Sequence, residues 1–131
     1  MFERLDYLYM PSADVVADVA YFRDVLGARV VFAIEGMGTR VAMVELGDAP
    51  PSIVLAGHLE GDRPILVYRV ADLAATINTL RGRGWAGDGH GLEIPQGPVH
   101  VFTAPGGQRI AVYELTRPGV IESSFVGRLD F

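Results

Sequence analysis

In the first half of the chain, one segment has the spacing of apolar residues that is typical of a helix. One short apolar run precedes it and three follow it, with glycine and proline turns between them. The run Leu5–Met10 predicts a strand that stops at Pro11. A helix over residues 13–26 is predicted by apolar residues at steps of four, three and four, namely Val15, Val19, Phe22 and Leu26. Three further runs typical of strands follow, at Ala28–Glu35, Thr39–Leu46 and Ser52–His58. The order is β-α-β-β-β.

The second half of the chain repeats this order. Pro64–Val70 predicts a strand, and Asp72 is a suitable cap for a second helix. The apolar face of that helix lies 58 positions after that of the first, at Leu73, Ile77, Leu80 and Gly84. Three runs typical of strands complete the half, at Leu92–Pro95, Val99–Ala104 and Gln108–Leu115.

A repeat of 58 residues with the same element order predicts an α+β fold built from two β-α-β-β-β modules. We expect a pseudo-twofold arrangement in which curved mixed sheets enclose a cup and the helices pack outside. The 131 residues are predicted to form one domain. Module one covers about residues 3–59, module two about 63–115, and a tail covers 116–131.

Composition and charge exclude several classes of protein. Half of the residues are hydrophobic and 21% are charged, which is too apolar for a disordered chain, and no apolar run is long enough to span a membrane. The net charge of −5 and the scattered basic residues argue against a nucleic-acid partner. The chain has no cysteine, which excludes disulfides and thiolate metal sites. The first residues lack the pattern of a secretion signal, so a cytoplasmic location is expected.

Four short motifs carry a resemblance to a known family. They are Leu5-Asp6-Tyr7, Tyr21-Phe22-Arg23-Asp24-Val25-Leu26-Gly27, Val70-Ala71-Asp72-Leu73 and Pro105-Gly106-Gly107-Gln108-Arg109-Ile110. With them the chain resembles the vicinal oxygen chelate superfamily over about residues 4–116. That superfamily includes glyoxalases, extradiol dioxygenases and bleomycin-resistance proteins, and its one fold supports many chemistries.

The resemblance also implies where a metal would bind. The metal enzymes of this family place a His in the first strand, a carboxylate or similar ligand in the fourth, a His or Gln in the fifth and a Glu in the last. The matching positions are Tyr7, Val54, Ile65 and Ala111. Three of these side chains have no donor atom, so we expect neither a metal nor another cofactor. This loss resembles the bleomycin-resistance branch, whose members bind a ligand as dimers without transforming it.

Strand alternation predicts which side chains face the cup. The predicted lining is mostly apolar and aromatic with a few polar groups, which is typical of a site for a small molecule. Its members are Tyr7, Tyr9, Met43, Val54, His58, Ile65, Val67, Arg69, His100, Phe102, Arg109, Ala111 and Tyr113.

The polar members of this set allow more than one interpretation. His100, Tyr7 and His58 are the candidates for proton transfer, but each is also compatible with a purely structural role. Arg69 and Arg109 could bind an anionic ligand or form ion pairs at the rim. A relocated metal triad of Glu45, His58 and His100 has suitable composition but no supporting spacing.

Two functional hypotheses follow. The first is a metal-independent protein that holds an apolar or aromatic small molecule in the cup. The alternative is a metal-free enzyme of the lyase or isomerase type that uses His100 or Tyr7 for proton transfer. The tail from Thr116 to Phe131 carries apolar residues that need cover from the outer face of its own domain or from a second subunit. A homodimer is the preferred expectation.

Overall fold

The computed structural model describes residues 1–131 and contains eight strands and three helices. No helix exceeds ten residues, and none could cross a membrane. In chain order the elements are β1 (Phe2–Pro11), α1 (Val15–Asp24), β2 (Arg29–Gly36), β3 (Thr39–Glu45), β4 (Ser52–Ala56), β5 (Ile65–Val70), α2 (Leu73–Gly82), β6 (His90–Ile94), β7 (Gly97–Thr103), β8 (Arg109–Glu114) and α3 (Val120–Ser124).

All eight strands form one mixed sheet. Its order is β2-β3-β4-β1-β5-β8-β7-β6, so each module contributes four neighbouring strands. Within each module the first strand pairs in parallel with the last, and β1 and β5 join the modules as antiparallel neighbours. The predicted α+β fold of two β-α-β-β-β modules is confirmed. The sheet curls without closing, because its edge strands β2 and β6 do not pair with each other.

The two long helices begin in the same way. The carboxylate of Asp14 accepts a hydrogen bond from the backbone N–H of Ala17, and Asp72 accepts one from Ala75. An aspartate at this position satisfies one of the free N–H groups in the first turn. The two caps are 58 residues apart, and so are the limits of α1 and α2. The repeat that the sequence predicts is therefore present in the hydrogen bonding of the helices.

The helices cover the convex face of the sheet. Under α1, Val15 and Val19 pack against Ala42, Val44 and Leu55, all of them buried. The second module has a smaller core, in which the buried side chains of Val70, Phe102 and Val112 meet Leu73 of α2 and Trp85. The alternate side chains of the same strands face the concave side.

The C-terminal segment, residues 119–131, returns to the first module. Helix α3 lies on the concave face, where Phe125 packs on Phe32 with ring centroids 5.4 Å apart. Residues 127–130 then run along the edge strand β2 and exchange three backbone hydrogen bonds with Val31 and Ala33. The tail was expected to cover the outer face or to meet a second subunit. Helix α3 instead covers the inner face of its own chain, while Phe131 at the end of the tail packs against the core under α1. The contact of α3 with the inner face shapes the cup.

Candidate functional site

A cavity of about 290 Å³ lies between the concave face of the sheet and the C-terminal segment. The first strand lines it with Arg4, Asp6 and Tyr7, and the second module adds Arg69 and Tyr113 from β5 and β8. Loop residues, the first residue of β4 and one side of α3 complete the wall, at Pro50, Ser52, Gln96, Leu115, Arg117 and Gly119–Glu122. Residues that are far apart in the chain thus meet around one polar space.

Asp6 reaches this cavity because β1 is irregular. The pairing of β1 with β5 passes from Leu5 opposite Tyr68 to Tyr7 opposite Val67, which leaves Asp6 without an opposite residue. Such a bulge redirects the side chains around it, and Asp6 and Tyr7, although adjacent in sequence, both line the cavity. Asp6 is 5% exposed, so its carboxylate needs hydrogen-bond donors from the protein.

Two side chains supply those donors. The guanidinium Nε of Arg4 donates to one carboxylate oxygen of Asp6 at 2.5 Å, and the phenol of Tyr113 donates to the other at 2.5 Å. Burial and the bond to Asp6 raise the pKa of Tyr113 well above its ordinary value. The bond to Asp6 likewise raises the pKa of Arg4. Tyr113 therefore remains protonated at neutral pH and acts as a donor.

Arg69 lies within ion-pair distance of this network but is not hydrogen-bonded to it. Its Nε is 3.7 Å from the carboxylate of Asp6 and 3.8 Å from that of Glu3, both beyond hydrogen-bond distance. The same nitrogen is buried and has no hydrogen-bond partner. A buried donor without a partner is rare in proteins, since it loses its water without compensation. Arg69 is consequently the group in the cavity with an unused hydrogen-bonding capacity.

The first module's half of the concave face is filled. Met43 is buried in a cluster with Val31 and Phe32, and Val54 packs against the same cluster beneath α3. In the other half, Ile65, Val67 and Ala111 are at most 8% exposed and pack together with Tyr113. Of the predicted lining residues, the structure brings only Tyr7, Arg69 and Tyr113 to the cavity.

Tyr9 and His58 form a separate pair at another part of the cup. The phenol oxygen of Tyr9 is 2.6 Å from Nε2 of His58, and Nδ1 of His58 is 3.2 Å from the hydroxyl of Thr39. Burial raises the pKa of Tyr9. Neither Tyr9 nor His58 lines the 290 Å³ cavity. Arg109 also lies outside it, where it donates to the backbone oxygen of Glu60 and fixes the loop before β5.

His100 and Phe102 are on the opposite face from the one predicted. Both pack against Trp85 on the convex side, with ring centroids 5.3 and 5.2 Å away, and His100 hydrogen-bonds the backbone oxygen of Asp88. The sequence pairing used an offset of 57 between Met43 and His100. In the structure β3 and β7 begin 58 residues apart, so Val101 takes the position of Met43. A slip of one residue moves every side chain of a strand to the other face.

Comparison with known proteins finds similarity in structure but not in sequence. No protein-family model matches the sequence, and neither does the sequence of any curated protein. The methylmalonyl-CoA epimerase of Mycobacterium tuberculosis matches with a TM-score of 0.66 at 21% identity, over 86% of this chain and 88% of that one. The methylmalonyl-CoA epimerase of Streptomyces coelicolor matches with a TM-score of 0.64 at 17% identity, over 89% of this chain and 97% of that one. A catechol 2,3-dioxygenase gives 0.65 at 18% identity, over 86% of this chain and 41% of the larger protein.

These enzymes belong to the vicinal oxygen chelate superfamily. The chain has the vicinal oxygen chelate fold. Identities of 14–21% establish the shared architecture, while the chemistry must be argued from the site itself.

The positions that the resemblance gives to metal ligands carry only one side chain with a donor atom. Tyr7 carries a phenol, but Val54, Ile65 and Ala111 offer no nitrogen or oxygen from their side chains. Elsewhere, no three His, Asp or Glu side chains come close enough to hold an ion, and Glu45, His58 and His100 accordingly do not form a triad. The residues present do not fit a divalent metal.

Most of the residues that line the cavity were not predicted from the sequence. Asp6 gave one usable signal, because it is a carboxylate inside an apolar and aromatic run. The bulge that turns it inward depends on the pairing with β5, which periodicity does not reveal. Gln96, which is 8% exposed, and the wall formed by α3 gave no comparable signal.

Proposed function

We propose that this protein binds a small molecule in the concave cup without a metal ion. The observation that carries the proposal is the cavity, in which buried polar groups converge while three of the four positions expected for metal ligands lack donor atoms. Its volume of about 290 Å³ is at the lower end of the range for small-molecule sites, roughly 300–1,000 Å³.

The cavity wall has two kinds of surface. Tyr7, Leu115 and Ile121 present aromatic and aliphatic groups, whereas Asp6, Arg69 and Tyr113 present charge and hydrogen bonds. An apolar or aromatic body with one polar group therefore suits the space better than a wholly apolar molecule. The prediction of a mostly apolar lining is wrong for this cavity, because only 5 of its 14 lining residues are hydrophobic.

Metal-free proton transfer is the second candidate. Tyr7 lines the cavity, whereas His100 lies on the convex face and His58 is engaged with Tyr9 and Thr39 outside it. The solved neighbours include methylmalonyl-CoA epimerases, so turnover belongs in the test. If an identified ligand is converted, Tyr7→Phe should abolish turnover in this candidate. A binding protein would lose affinity and show no turnover in either form.

We also propose that the protein works as a homodimer in the cytoplasm. Four large side chains along α1 and just after it are exposed and could meet a second copy, namely Val16, Tyr21, Val25 and Leu26. Sedimentation at several concentrations tests the oligomeric state. The cytoplasmic location is proposed from the sequence alone.

The decisive experiment combines native mass spectrometry with metal analysis of protein purified without chelator or metal-affinity resin. We expect no stoichiometric metal and an additional organic mass on the folded protein. Stoichiometric metal that chelators remove together with ligand affinity would overturn the proposal. So would the absence of any small-molecule complex, both in this sample and in a ligand screen.

A further inference from the structure

One arginine in the cavity has no acceptor for its buried donor. The Nε of Arg69 is buried and unpartnered, and its nearest carboxylates are 3.7 and 3.8 Å away. The side chain as a whole is 27% exposed and lines the cavity. The Nε is closed to solvent, whereas the two terminal nitrogens are neither buried nor hydrogen-bonded to the protein, so they form a donor fork that a ligand in the cavity can reach.

The neighbouring carboxylate cannot serve Arg69 without breaking existing bonds. Asp6 already accepts from Arg4 on one oxygen and from Tyr113 on the other, both at 2.5 Å. Turning Asp6 toward Arg69 would leave Tyr113, which is 2% exposed, without an acceptor for its phenol. Glu3 is half exposed and does not line the cavity, so its attraction is weakened by solvent. The fork is left for a group from outside the chain.

The charges around the cavity support an anionic partner. Three arginines and two acids line it. Arg4 is committed to Asp6, and Arg117 donates to Glu93 and to the backbone oxygens of Pro95 and Ile94. Arg69 is therefore the cation that remains for a ligand. Because Asp6 and Glu3 lie within 4 Å of Arg69, a singly charged anion would meet less repulsion there than a doubly charged phosphate.

We propose that the ligand of this site is a small monocarboxylate whose carboxylate binds the guanidinium of Arg69. This inference rests on the proposed function and names the chemical class of its ligand. The two oxygens of a carboxylate match the guanidinium fork, which favours a planar, bidentate pair. The aliphatic or aromatic body of the acid would lie against Tyr7, Leu115 and Ile121.

The test is a binding screen with matched pairs of probes. Aliphatic and aromatic monocarboxylates no larger than phenylpropionate are each paired with their primary amide, which has the same shape and no charge. Thermal shift selects the pairs, and calorimetry measures their affinities. We expect the acids to bind the wild-type protein and the amides to bind at least about tenfold more weakly, since a hydrogen-bonded charge contributes about 1.5–3 kcal/mol.

Arg69→Gln should reduce the preference for acid over amide to near unity, and Arg69→Lys should restore part of it through a point charge. Arg83→Gln is the matched control, because it removes the same charge at the C-terminal end of α2, away from the cavity. The acid-to-amide ratio on the wild-type protein needs no variant, so the test holds even if Arg69→Gln fails to fold.

The outcomes separate this inference from the proposed function. Acids and amides that bind equally well, or an acid preference that survives in Arg69→Gln, would overturn the role of Arg69 and leave small-molecule binding intact. Stronger binding of inorganic phosphate than of any monocarboxylate would overturn the ligand class. If no probe binds and native mass spectrometry finds no organic mass, the proposed function fails as well.

Discussion

Tyr113 donates a hydrogen bond to Asp6 across 107 residues of chain, at an oxygen-to-oxygen distance of 2.5 Å. The bond joins the last strand of the second module to the first strand of the first. Replacing Tyr113 with Phe removes the donor and leaves a buried carboxylate oxygen unsatisfied. We expect the free energy of unfolding to fall by about 2–3 kcal/mol, measured by urea denaturation. An unchanged denaturation midpoint would contradict a structural role for this bond.

The same phenol predicts how stability depends on pH. Burial raises the pKa of Tyr113 in the folded protein above the ordinary value of 10.0 that it has when unfolded. Above pH 10 the unfolded chain releases this proton and the folded one retains it, so stability is present below that pH and is lost as pH rises. The expected slope is about 1.4 kcal/mol per pH unit. Unfolding measured at several alkaline pH values should fall less steeply in Tyr113→Phe than in the wild type.

The paired helix caps offer a comparison within one molecule. Asp14→Ala and Asp72→Ala each remove the acceptor for one backbone N–H at the start of α1 or α2. Each change should lower the free energy of unfolding by about 1 kcal/mol. Asn retains a side-chain oxygen, so Asp14→Asn and Asp72→Asn are the controls and should cost less. Equal losses of unfolding free energy in the two alanine variants would show that the two caps contribute equally to stability.

His100 should matter for packing and not for binding. His100→Ala removes a hydrogen bond to the backbone of Asp88 and one aromatic neighbour of Trp85. Trp85 is the only tryptophan of the chain, so the tryptophan fluorescence reports on the surroundings of this one side chain. We expect a loss of about 1 kcal/mol of stability and an emission shifted to the red as water reaches the indole. Ligand affinity should stay at the wild-type value, and a loss of affinity would contradict the placement on the convex face.

Phe125 anchors the C-terminal segment. Because its side chain is only half-buried, Phe125→Ala should cost about 1–2 kcal/mol, less than the 3–5 kcal/mol of a fully buried phenylalanine. Loss of the contact with Phe32 should also weaken the backbone hydrogen bonds between residues 127–130 and β2, so that their amides exchange faster. Hydrogen exchange at the amides of Ala33 and Gly127 would measure this. The exchange of Val44, in the core under α1, serves as the control and should stay slow.

The repeat made much of the fold predictable. Periodicity located all eight strands and the two long helices but not α3, because each module buries one long helix against one sheet face. The tail was different, since Ile121 and Phe125 indicate only that cover is needed and not which face supplies it.

The site was less predictable, because it depends on register. Tyr7, Arg69 and Tyr113 followed from alternation within strands and do line the cavity. The bulge at Asp6 and the true offset between β3 and β7 come from pairing between distant strands. A single residue of error there placed His100 and Phe102 on the wrong side.

The cavity wall combines residues 4–7 with residues 117–122. On the ribosome these segments are made far apart in time, and domains generally fold as the chain emerges. The first module can bury its helix while its binding surface is still open, and the pocket is complete only after α3 has left the exit tunnel. The ligand binding proposed above would therefore begin only after the C-terminal segment has joined the fold.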